Sequence, residues 1–296
     1  QGIYRNGVQD SAWTEFYENG KILSEGIYKN GNPEGKWIEY YENGDMAATG
    51  KFVNGKQEGE WLEFFRDSIL SSKGSFKKGK KSGHWYGYFG NGDLAMEGDF
   101  EDGLEKGYWK VYHESGAMKM EGNFFMGKET GTWKEYDEDG HLESAGSYIN
   151  GMEDGKWVNF LPNGDTMQVE HWKMGKLMNL GEFRLSKNKI LPKGTLKNGN
   201  GTRRTYHLNG NLEAEGNFRN GLMTGTWKYY FENGKLSGTG EFREGKKQGY
   251  WTIYRENGKK EVEGEYKDDE VVGKWFYYDE NGKLSEMKDY DSEELD

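Results

Sequence analysis

The chain has 296 residues, a net charge of −11, 46 Gly, three Pro and no Cys, and nearly half of its 33% hydrophobic residues are aromatic. The aromatic content excludes a disordered chain, the lack of Cys excludes a disulfide framework or thiolate metal site, and the acidity excludes general attraction to nucleic acid or an anionic membrane. No apolar run approaches the roughly 18–20 residues that span a bilayer.

The sequence begins at Gln1 without an initiating Met or a signal peptide, which leaves localisation open between cytoplasmic and exported with a leader or anchor removed. From there a Trp recurs every 24 residues, at Trp13, Trp37, Trp61, Trp85, Trp109, Trp133 and Trp157, and the same interval separates Arg203, Trp227, Trp251 and Trp275. Between Trp157 and Arg203 the gap is two residues short of two periods, which a degenerate unit anchored at Gly181 fills. The array therefore has about 12 units.

In eight units an Asn-Gly pair lies six and seven residues after the anchor, as at Asn19-Gly20, Asn43-Gly44 and Asn233-Gly234, with Ser115-Gly116 and Asp139-Gly140 as near equivalents. Asn-Gly favours a two-residue type I′ turn, so each unit is predicted to be a β-hairpin. Counting outward from such a turn sets Trp37 opposite Gly50, Tyr41 opposite Met46 and Gly35 opposite Phe52. The indole would then lie over the glycine of its own hairpin. A second glycine eighteen residues after the anchor, and another four later (Gly55 and Gly59), predict a longer turn into the next unit. The position fifteen after the anchor is aromatic in 11 of 12 units, which marks that face as the core.

One hairpin is marginal in water, so the units must pair edge to edge. The expected fold is all-β: an elongated, twisted, single-layer antiparallel sheet of tandem hairpins. Two strands per unit at about 4.8 Å give a ribbon on the order of 100 Å long. The predicted segments are 1–165, a first half of the array; 166–204, a degenerate basic repeat; 205–290, a second half; and 291–296, an acidic tail.

Segments such as "GKWIEYYENG" followed by "GKFVNGKQEG", and "GTWKYYFENGKLSGTGEFREGKKQG", resemble the MORN repeat, in particular the variant found in bacterial arrays. The resemblance runs from residue 2 to about 290 and breaks down between about 166 and 204. It implies an elongated binding array, with membrane lipids or protein scaffolds as the partners of eukaryotic MORN proteins and antitoxin- or immunity-like roles for the bacterial variants.

Catalytic signals are missing. The five His (His84, His113, His141, His171, His207) show no metal-ligand spacing, and the acidic pairs recur at one repeat position, as solvated turn flanks do. No catalytic, cofactor or metal site is expected. Two features remain as candidate binding surfaces. One is an aromatic three residues after the anchor, on the face opposite Trp: Tyr40, Tyr88, Tyr112, Tyr136, Tyr206, Tyr230, Tyr254 and Tyr278. Such a stripe is either a second ladder bracing the sheet or a tyrosine-rich contact surface. The other is a basic run of Lys173, Lys176, Arg184, Lys187, Lys189, Lys193, Lys197, Arg203 and Arg204 against the single acid Glu182, a balance of +8 that leaves −19 on the rest. It would meet an acidic protein, a phosphorylated ligand or anionic lipid, or the acidic tail of another copy. The expected function is non-enzymatic protein–protein interaction, as a scaffold, an antitoxin- or immunity-like protein or an adhesin-like module. The alternative is a phospholipid-binding array, with nucleic acid excluded and self-association left open.

Overall fold

The computed structural model describes residues 2–291 and contains strands and turns alone among them. The chain forms two compact units, Gln1–Gly151 and Met152–Asp296. In the first, thirteen strands from Gly2–Arg5 to Leu142–Ile149 pair antiparallel in chain order. In the second, Gly155–Phe160, Thr166–Lys173 and Lys176–Leu180 pair in sequence. A small hairpin follows, Phe183–Ser186 with Lys189–Leu191. Eight strands from Gly201–Tyr206 to Leu284–Asp289 then complete the unit. Sequence 181–200 therefore does not make the regular hairpin that the 24-residue count assigns to it.

The two kinds of turn are the reverse of the expectation. At Tyr41–Gly44 the Gly44 N–H donates to Tyr41 O and the Tyr41 N–H to Asp45 O, each at 2.8 Å. Only Gly44 has positive φ, +100°, so this is a three-residue loop with a glycine bulge. Asn43 acts instead through its side chain: Oδ1 accepts from Asp45 N (3.0 Å) and Nδ2 donates to Arg66 O (3.0 Å) one repeat later. The two-residue I′ turn lies between repeats, at Asn54-Gly55, with φ of +50° and +76° closing the Val53↔Lys56 pair. The extra residue in the first loop makes Tyr40, and not Tyr41, the partner of Met46.

The glycine four residues beyond the I′ turn belongs to a bulge. Lys51 pairs with Glu58 but Thr49 pairs with Leu62, so three residues stand opposite Gly50, and Gly59 at φ +72° supports the kink. This swings the next anchor across the seam. Trp37 pairs in register with Gly50 as expected, yet the indole that covers Gly50 is that of Trp61, and Trp37 covers Gly26. A Cβ on Gly50 would sit 2.2 Å from the Trp61 ring. Trp61 Nε1 also donates to Lys51 O at 3.2 Å. The same overlap of indole and glycine recurs at Trp85, Trp109, Trp133, Trp227, Trp251 and Trp275, and each of these locks its repeat to the one before. The anchors alternate with the aromatics at +15 in an edge-to-face chain, Trp37–Phe52 at 5.7 Å and Phe52–Trp61 at 5.2 Å, each contact contributing about 0.5–1.5 kcal/mol beyond burial.

Candidate functional site

The tyrosine stripe lies on the face opposite the indoles, and its hydroxyls bridge repeats. Tyr40 donates to Glu25 (2.7 Å), Tyr112 to Glu97 (2.8 Å), Tyr136 to Glu121 (2.8 Å), Tyr230 to Glu215 (3.2 Å) and Tyr278 to Glu263 (2.6 Å), always a carboxylate fifteen residues earlier. Tyr88 meets Lys73 in that slot, with the ammonium 5.9 Å from its ring, and fifteen residues before Tyr254 stands Thr239, which offers no carboxylate. The carboxylates also gather lysines, with Lys110 on Glu97 at 3.0 Å and Lys134 on Glu121 at 3.2 Å. Hydrogen bonds from Lys110 and Tyr112 hold the Glu97 carboxyl below its ordinary range, and those of Tyr108, Tyr136 and Lys134 do the same for Glu121 against its partial burial. The stripe is therefore a ladder that fixes ring positions.

The same face carries a row that the sequence reading did not single out, one residue before the anchors. Tyr108 and Tyr250 there are 48% and 53% exposed, more open than the stripe itself. Tyr108 donates to Glu121, and its hydroxyl is pushed up to about 12 by burial and by that carboxylate. His84, in the same row, bonds Asp99 at 2.9 Å and lies 3.5 Å from Glu97.

Four residues after the anchors, Tyr17 and Tyr41 donate to Tyr40 O (2.7 Å) and Phe64 O (2.6 Å) of the following repeat. His113 and His207 take that slot and donate through Nε2 to Tyr136 O (2.9 Å) and Tyr230 O (2.8 Å); Arg255 does likewise to Tyr278 O at 3.0 Å. Because a carbonyl only accepts, these two His carry the proton on Nε2. Both are braces between repeats. The exposed turn group Asp137, Asp139 and His141 is the one cluster of carboxylate and imidazole atoms close enough to share an ion among the described residues, and its His already bonds Asp137 at 3.0 Å.

The basic run does not gather into one patch. Arg203 turns inward to a buried pair with Glu170, which also accepts from Trp172 Nε1 at 2.9 Å. Glu170 stands where earlier repeats have the glycine under the indole, and Arg203 stands at an anchor, so the pair occupies two positions of the lost Trp–Gly lock. Arg184 pairs with Glu182, Arg204 with Glu215, and Lys193 donates to Leu180 O. The other five lysines are exposed with no carboxylate partner among the described residues, and they divide between two edges. Lys173, Lys176 and Lys197 flank the stacked I′ turns, where Gly199 N–H donates to Met178 O and Gly221 N–H to Gly199 O. Lys187 and Lys189 lie at the small hairpin beside Gly210, in the opposite row of turns. An eight-residue strand puts those edges about 25 Å apart. The small hairpin covers part of the stripe, with Phe183 5.2 Å from the Tyr206 ring and Tyr206 OH on Pro192 O at 2.7 Å. Of the acidic tail, residues 292–296 lie outside the described residues.

Comparison with known families matches the MORN repeat variant at residues 9–30, 33–54, 105–125, 129–150, 200–220, 223–244, 247–268 and 271–292, more than half of the chain. No curated protein matches. Of the unmatched stretches, the one from 55 to 104 has the same strands, indole locks and turns as its neighbours.

Proposed function

Since this chain belongs to the MORN repeat variant family, and that family and its all-β repeat fold are consistent with a repeat protein without catalytic machinery, we propose that it binds another protein through the face opposite the indoles. The observation that carries this reading is the pre-ordered tyrosine display. Five hydroxyls of the stripe, those of Tyr40, Tyr112, Tyr136, Tyr230 and Tyr278, are held by carboxylates of the preceding repeat, so these rings lose little freedom when a partner docks, while Tyr108 and Tyr250 offer half-exposed rings beside the stripe. Alternating Glu and Lys around the rings supply a polar rim. A flat anionic bilayer would need the free lysines in one plane, and their division between two edges favours a protein partner over lipid.

The test is site-specific photo-crosslinking from position 108 in an extract of the source cells, followed by purification of the captured protein. Tyr108→Ala should weaken its binding by about tenfold, the loss of an interface residue contributing about 1.4 kcal/mol, with the far-ultraviolet circular dichroism of the sheet unchanged. Equal binding by Tyr108→Ala and Tyr250→Ala, or association with anionic vesicles that salt abolishes, would overturn the reading.

A further inference from the structure

The indole face of the first three repeats holds a row of carboxylates with no cation partner among the described residues. Glu15, Glu39 and Glu63, each two residues after its anchor, lie along one line across the strands, separated by small residues: Glu15 pairs with Ser24, Ser24 with Glu39, Glu39 with Ala48 and Ala48 with Glu63. Two strand spacings put successive carboxylates about 10 Å apart. Between the first two opens a cavity of about 430 Å³ walled by the rings of Tyr17, Trp37, Tyr41 and Phe52. Glu15 and Glu63 accept from Ser24 (3.2 Å) and Ser72 (2.6 Å), whereas Glu39 faces Ala48, which offers no donor. Burial, with the charge of Glu63 behind it, raises the Glu39 carboxyl above its ordinary range.

The fold does not require acids there. In the second unit the same line runs Thr205, Ala214, Tyr229, Gly238, Ile253, Val262 and Tyr277, and the Tyr229 ring fills the groove between Trp227 and Trp251, 6.2 Å from each. One lattice thus carries a groove packed with rings in one unit and an open, aromatic-walled, anionic one in the other. What is missing from the open groove is a cation with apolar length: positive charge at about 10 Å intervals to answer the carboxylates, and methylenes to lie on the rings.

We propose that this groove binds a linear oligoamine, its ammonium groups seated at Glu15, Glu39 and Glu63 and its alkyl chain against Trp37 and Phe52. The carboxylates of the site are on the indole face, with Tyr40 of the stripe also among the residues lining the cavity, and the proposal does not rest on the protein-binding reading. Calorimetric titration of the full chain at low salt with 1,8-diaminooctane, spermine and octylamine tests it. The two oligoamines should bind at least about tenfold more tightly than octylamine, and Glu39→Gln should weaken them by about tenfold, the scale of one charge-assisted hydrogen bond. Glu135→Gln, which removes the corresponding acid of a repeat flanked by Val111 and Asn159 in that slot, should leave affinity unchanged. Ala48→Lys, which supplies an internal ammonium between Glu39 and Glu63, should abolish binding and raise the thermal midpoint. Equal affinity for octylamine, wild-type affinity in Glu39→Gln, or no binding of any amine would overturn the proposal.

Discussion

Arg203→Met removes one partner of the pair that replaces the Trp–Gly lock. Glu170 is 7% exposed and Arg203 22% in their side chains, and the carboxylate also holds Trp172 Nε1. Stranding a buried carboxylate costs about 3–5 kcal/mol, and the partial exposure of Arg203 places this case near the lower end. With a urea dependence of about 1–3 kcal/mol/M, the midpoint of the second unit should fall by at least ~1 M. Arg204→Met is the matched control: its bond to Glu215 is 3.2 Å long but 46% and 30% exposed, so its loss should cost under about 1 kcal/mol. Glu170→Gln combined with Arg203→Met removes both charges, keeps an acceptor for Trp172 and should recover most of the loss. The guanidinium already leaves its Nε buried without a partner among the described residues, so the native pair is itself imperfectly satisfied. Urea unfolding followed by near-ultraviolet circular dichroism reads all three. The reasoning fails if Arg203→Met costs no more than Arg204→Met, or if the double variant is no more stable than the single.

Gly98→Ala would put a methyl 2.2 Å from the Trp109 ring, whereas Gly90 has open space around it. Thermal unfolding should show Gly98→Ala losing about 1–3 kcal/mol through overpacking of the lock and Gly90→Ala unchanged within about 0.5 kcal/mol. His113→Tyr keeps a donor toward Tyr136 O and should leave stability near wild type, while His113→Leu leaves that bond unmade and should cost about 1 kcal/mol; equal midpoints for the two would remove the bracing role. Acid should loosen the first unit. The folded-state values of Glu97 and Glu121 lie below the ordinary 4.5, so their contribution is complete above pH 4.5 and disappears as pH falls through the lower folded values. A plot of thermal midpoint against pH from 6 to 3 should fall below 4.5, and Glu97→Gln should flatten it; a parallel curve would refute the linkage.

Some of this molecule was legible residue by residue. The anchor period, the aromatic fifteen residues on and the glycine paired with most of the anchor Trp specified hairpins and an aromatic core, because side-chain alternation and turn chemistry act over a few neighbouring residues. The exchange of Gly for Glu170 and Trp for Arg203 was also visible as two consensus positions of opposite charge, and the Tyr, His and Arg that alternate four residues after the anchors share a donor, a signal for bracing. Asn43-Gly44 and Asn54-Gly55 are the same dipeptide, however, and only register tells a bulged three-residue loop from a two-residue turn.

What the sequence determined by itself was therefore the repeating hairpin and its two faces. Which repeat each side chain serves was decided by tertiary structure. The bulge opposite Gly50 carries Trp61 back over the preceding hairpin, five of the tyrosine hydroxyls reach carboxylates fifteen residues earlier, and the basic run is split among two edges, local partners and a buried pair. These relations depend on strand register and bulge geometry summed across neighbouring repeats, and no single repeat contains that information.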